Sequence, residues 1–89
     1  MEKNLVNNVC EEKVYERVYN TYSEVINNYF YYKFGNQEMA EESVQEAFIK
    51  LWENCKKVPF ANAKSYLYTV ANNLSLNRYK HKKVVLKYA

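Results

Sequence analysis

The 89-residue chain contains one glycine, Gly35, and one proline, Pro59. These are the residue types that most readily stop a helix, so the chain has two points of punctuation and long stretches that nothing interrupts. They divide the sequence into three segments, and in each the apolar residues recur at spacings of three and four, the period of a helix with one buried face. In residues 9–34 the recurring positions are Val14, Tyr15, Val18, Tyr19, Tyr22, Val25, Ile26, Tyr29, Phe30 and Phe34. In residues 37–56 they are Ala40, Val44, Ala47, Phe48, Leu51 and Cys55, with Trp52 at the edge of the stripe. In residues 63–83 they are Tyr66, Leu67, Val70, Ala71 and Leu74. The expected fold is all-α, a compact bundle of three main helices with short connections.

The ends of these segments carry matching signals. Gly35 suits the left-handed position that closes a helix, and Asn36 can cap the next one, which makes the first two helices antiparallel neighbours. Pro59 disfavours helix at Val58 and so breaks the chain between the second and third segments. Asn8 and Asn62 are the expected caps of the first and third helices. Residues 1–8 read as a flexible lead-in, 9–83 as the helical domain and 84–89 as the start of a linker. At this length the chain forms one small domain with a single core.

Charge is distributed unevenly. Residues 1–49 hold four basic and nine acidic side chains, a net −5, whereas residues 50–89 hold nine basic and one acidic, a net +8. A basic half of this density is the footprint of a polyanion-binding surface. On the third helix Lys64, Tyr68, Asn72, Asn73, Asn77, Arg78, Lys80, Lys82 and Lys83 lie off the buried stripe. Lysines hold a phosphate backbone, rings stack on bases and amides reach base edges, which is the equipment of a single-stranded nucleic-acid surface. The second helix presents Glu42, Gln45, Glu46, Ile49 and Glu53 on its outer face. Glutamates in its first turns suit the helix dipole, but an isoleucine amid a polar stripe suits a partner.

Other function classes are disfavoured. No run approaches the roughly 20 apolar residues of a membrane span, and no leader pattern opens the chain, so the expected location is cytoplasmic. Two cysteines, Cys10 and Cys55, and one histidine, His81, are too scattered for a metal site, and both thiols are expected to be reduced. No nucleophile, base and acid are grouped as catalysis requires, so no catalytic residue, metal or cofactor is expected. The lysine-rich, proline-containing connection before the third helix disfavours a helix-turn-helix reader of duplex DNA.

Two stretches together carry a family resemblance. Residues 44–52, VQEAFIKLW, followed about a dozen residues later by residues 63–77, AKSYLYTVANNLSLN, resemble region 2 of bacterial extracytoplasmic-function sigma factors. The likeness extends over about residues 9–83. It implies that Glu42, Gln45 and Glu46, with Ile49 one turn on, dock on the β′ clamp helices of core RNA polymerase. It also implies that the next helix and its leading loop open the promoter at the minus-ten element and hold a flipped base of the non-template strand. That role maps onto Lys56, Lys57, Phe60 and Asn62 in the loop region and onto Tyr66, Asn73 and Asn77 on the helix. Lys64, Arg78, Lys80, Lys82 and Lys83 remain for phosphates. Tyr66 stands where members often carry tryptophan. The family continues into a second helical domain, region 4, which lies outside this sequence. The alternative is a helical interaction module whose main partner is an anti-sigma regulator.

Overall fold

A computed structural model describes residues 8–88 of the chain. Its helices are α1 (Glu12–Phe34), α2 (Gln37–Glu53) and α3 (Ala63–Tyr88), with a short 3-10 turn at Phe60–Asn62 leading into α3. The all-α expectation holds, and no strand occurs among the described residues. Residues 1–7 of the expected lead-in lie outside the described part.

The join between α1 and α2 follows from two side chains. Gly35 adopts φ 69° and donates its N–H to the Tyr31 carbonyl at 2.7 Å, while the Asn36 side chain accepts the Met39 N–H at 2.9 Å. One residue ends a helix and the next begins another, so α2 folds straight back on α1.

Other boundaries differ from the periodicity. The Asn8 side chain closes a local turn on the Cys10 N–H at 2.8 Å, and Glu11 occupies the cap position of α1 without a side-chain bond. A short polar side chain that finds a backbone donor two residues on forms a turn in preference to a cap. Asn62 is not a cap with an extended backbone but the last residue of the 3-10 turn, its N–H donated to the Pro59 carbonyl at 2.9 Å. The helix α2 stops at Glu53 rather than near residue 56, and turns occupy the interval. The third helix, expected to end near residue 83, continues to Tyr88.

The core lies where the three helices meet, with α2 packed against both neighbours. Ile26 and Phe30 of α1, Leu51 of α2 and Leu67 of α3 are its largest fully enclosed side chains. Each such burial contributes about 1.5–3 kcal/mol. Val9 and Val58 join this core from the segments before α1 and after α2. Along α3 the buried line is Ala63, Leu67, Ala71 and Ser75, one residue every turn. Tyr66, Val70 and Leu74 of the expected stripe are only half-buried beside it. Small residues at this line let α3 lie close to α2, and Ser43 of α2 is likewise enclosed.

The cysteines correct an expectation. Cys10 and Cys55 form a disulfide, with Cα atoms 5.1 Å apart and a sequence separation of 45. The helix packing brings the turn before α1 against the turn after α2, a juxtaposition that spacing alone does not disclose.

Candidate functional site

Two surfaces hold the candidate residues. On α2, Glu42, Gln45 and Ile49 are exposed and Glu46 is half-buried. These four residues share the face opposite Ala40, Val44, Ala47 and Leu51 because helical spacing sets three- and four-residue neighbours together. Ile49 is 56% exposed and Trp52 44% exposed. With Glu12 and Tyr15 they line an apolar hollow of about 370 Å³ between α1 and α2. Tyr15, read as a stripe residue from periodicity, and Trp52, read as the edge of its stripe, therefore extend the apolar patch that begins at Ile49.

The Tyr15 hydroxyl donates to the Phe48 carbonyl at 2.7 Å. Burial, and secondarily the neighbouring Tyr19, push its phenol above the ordinary value of 10.0. The ring meets Trp52 edge-on at 4.9 Å between centroids, which holds the indole against α1.

On the other flank of the same face, Gln45 and Glu41 border a groove of about 360 Å³ that also includes Tyr19, Glu24 and Asn27. The Asn27 side-chain oxygen there is buried and has no hydrogen-bond partner among the described residues. An unpaired buried acceptor costs free energy until a donor reaches it. Sequence reading missed Asn27, since an asparagine amid tyrosines carries no periodic signal.

Arg78, expected among the phosphate-facing cations, points into the bundle. Its guanidinium donates to Ser43 Oγ at 2.7 Å and to Glu46 Oε1 at 2.7 Å, and lies 3.9 Å from Glu42. A fork of donors matches this set of oxygens. The acidic face of α2 and the basic helix α3 are thus tied together by one side chain, a link neither helix discloses alone.

The second surface surrounds the loop from Lys56 to Asn62. Val58 anchors it in the core, while Lys56, Lys57, Phe60 and Asn62 remain exposed. Val58 and Pro59 form a ridge shared by two clefts. One, about 470 Å³, is lined by Asn8, Val9, Cys55, Lys56, Phe60 and Ala61 beside the ridge. The other, about 280 Å³, is lined by Lys57, Asn62, Ser65, Tyr66 and Thr69. Tyr66 is half-buried, its hydroxyl donating to the Lys50 carbonyl at 3.3 Å and receiving Asn54 Nδ2 at 3.3 Å. Tyr66 thus lines the second cleft while its hydroxyl is committed to the end of α2.

Further along α3, Asn73, Asn77 and Lys80 are exposed. The side chains of Lys82 and Lys83 lie outside the described residues. Lys64 is exposed on the side facing α1, its ammonium 5.9 Å from the Tyr22 ring. On that seam Tyr29 meets Tyr68 edge-on at 5.3 Å, and Lys33 donates to Asn72 at 2.8 Å. The aromatic run of α1 therefore divides: Phe30 enters the core, Tyr29 touches α3 and Tyr32 stays 82% exposed.

An all-helical module with carboxylates on one helix face and lysines on the following loop is the class these features define. The family model for sigma-70 region 2 matches residues 18–84, and the chain belongs to that family. Region 2 membership implies the general role of binding RNA polymerase and melting promoter DNA, a role without enzymatic chemistry. No curated protein and no solved structure matches the chain. No helix among the described residues is long and apolar enough to cross a membrane.

Proposed function

We propose that the chain is the region 2 module of an extracytoplasmic-function sigma factor, working in the cytoplasm. Its α2 face, Glu42, Gln45, Glu46 and Ile49, docks on the β′ clamp helices of core RNA polymerase. Its loop and α3, through Lys56, Lys57, Phe60, Asn62, Lys64, Tyr66, Asn73, Asn77, Lys80, Lys82 and Lys83, take the non-template strand of the minus-ten element. Arg78 serves this surface from within, by holding α3 against Ser43 and Glu46.

The observation that carries the reading is the 56% exposure of Ile49 among carboxylates, continuous with exposed Trp52. A solvated helix face has no need of that pair, whereas the centre of a protein interface does. On the other surface, unstacking a base costs a few kcal/mol, offset by stacking and pocket contacts to the extruded base.

The test is capture of the chain on an immobilised β′ clamp-helix fragment, comparing wild type with Gln45→Ala and Ile49→Asp. Glu46→Lys is a less clean probe, because a lysine there would also face Arg78. A drop of about ten-fold or more in affinity is expected for Ile49→Asp, whose side chain is central and whose loss leaves a charge against an apolar surface. Wild-type binding by both variants would overturn the docking face. An anti-sigma regulator covering the same Ile49–Trp52 patch is the second reading, and competition between it and the clamp fragment would reveal it.

A further inference from the structure

The disulfide and the larger cleft lie together, and neither is used by the docking face. The Asn8 side-chain oxygen accepts the Cys10 N–H at 2.8 Å, and the Asn8 carbonyl accepts the Glu11 N–H at 2.9 Å. Residues 8–11 therefore form one hydrogen-bonded turn. Across the cleft, the Cys55 N–H goes to Trp52 at 3.3 Å and the Lys57 N–H to Asn54 at 2.9 Å, a second turn. The Cys10–Cys55 bond is the covalent link between these turns, and Asn8 and Val9 of the first turn, Cys55 and Lys56 of the second, and Phe60 all line the cleft of about 470 Å³.

That volume lies within the roughly 300–1,000 Å³ typical of small-ligand clefts. Its chemistry suits a planar heterocycle attached to a phosphate. Phe60 offers a partly exposed ring for stacking, and Lys56 a cation for the backbone. With its oxygen engaged, the Asn8 amide retains an NH2 group that can donate to a base edge.

We propose that the Cys10–Cys55 disulfide fastens the Asn8–Val9 wall of a nucleobase-binding cleft, so that capture of an extruded base depends on the thiol redox state of the chain. This rests on the strand-capture reading above and adds to it a wall and a means of regulation. Cys10 and Cys55 are both half-buried residues, and Cys55 lines the open cleft, the route by which a small dithiol would approach the bond. Reduction breaks the single S–S bond: two electrons and two protons pass from the dithiol to the two sulfurs. Two cysteine thiols result, and the dithiol closes to its own disulfide. Disulfides in reducing compartments are characteristically the transient, sensing kind.

The experiment measures anisotropy of short fluorescent single-stranded DNA homopolymers of each base, and of an abasic strand of equal length. The chain is presented oxidised and after dithiothreitol, with thiol titration and circular dichroism on each state. At least one base-bearing strand should bind about five-fold more weakly after reduction, the equivalent of one net hydrogen bond. Abasic binding should be unchanged. Cys10→Ser/Cys55→Ser should match the reduced chain and ignore reductant, and Asn8→Ala with the disulfide intact should lose base-dependent affinity.

Equal base-dependent affinity in both redox states overturns the proposal. So does loss of that affinity in Asn62→Ala with none in Asn8→Ala, which would place capture in the cleft beside Tyr66 and leave strand capture standing. Base-independent binding throughout would overturn both strand capture and the proposal, with clamp-helix docking unaffected. Should reduction abolish the helical signal, the Asn8→Ala arm on the oxidised chain decides: unchanged base-dependent affinity there overturns the proposal.

Discussion

Tyr15 shows how one side chain can serve the core and the surface together. Its hydroxyl reaches the Phe48 carbonyl at 2.7 Å while its ring supports Trp52. Because burial raises its phenol above 10.0, the neutral form is favoured by folding. The resulting stability is fully present below the unfolded value and is lost as pH rises through the higher folded value. Tyr15→Phe should lower unfolding free energy by about 1 kcal/mol near neutrality and flatten the alkaline fall. Urea titrations across the alkaline range check this; an alkaline slope identical to wild type would remove Tyr15 as its source. Tyr15 was legible from sequence as an apolar-stripe residue, but its bond to a carbonyl 33 residues on was not. Ser43 escaped for a related reason: a polar residue reads as outward-facing until Arg78, from another helix, supplies its donor.

At the scale of elements, legibility followed how local the cause was. Gly35 and Asn36 act on backbone groups within four residues, so the α1–α2 join could be read directly. Gly35 at φ 69° has nothing within 4 Å of where a Cβ would stand. Its replacement therefore costs backbone strain alone. Gly35→Ala should lower stability by about 1 kcal/mol, with the α1 and α2 contacts retained. A shift of the urea midpoint at constant m-value checks this. A much larger loss would require a steric conflict that the open space around Gly35 does not provide. The end of α3 was misplaced because the sequence beyond Pro59 contains no further breaker. Helix to Tyr88 is what the absence of a stop signal allows. The end of α2 moved the other way. Asn54 turns its side chain onto the Lys50 carbonyl at 3.0 Å, and its N–H bonds the same helix end. The Lys50 and Trp52 carbonyls are thereby satisfied, and α2 stops three residues before the lysine pair.

At the scale of the whole molecule, the acidic and basic halves were legible in composition, and the sigma-70 region 2 family in two ordered motifs. What joins the halves was not, because Arg78–Glu46 and Cys10–Cys55 depend on how α1, α2 and α3 approach one another. The disulfide has the larger thermodynamic reach. Closing 45 residues of separation removes conformations from the unfolded chain, worth about 4 kcal/mol in the chain-entropy picture. A domain of this length has a total stability on the order of 4–13 kcal/mol, so the bond represents a substantial share. Reduction should move the urea midpoint far down and raise the m-value, since the unfolded chain expands once the loop opens. Cys10→Ser/Cys55→Ser should reproduce that midpoint with no reductant present. If the midpoint scarcely moves, the burial of Val9, 1% exposed, is sufficient to seat the N-terminal turn and the cross-link adds little to the fold. If it falls as expected but the reduced chain stays helical at low denaturant, the two redox states are both folded at working conditions. They then differ in how firmly the turn before α1 is held against the turn after α2, the distinction a redox-gated cleft requires.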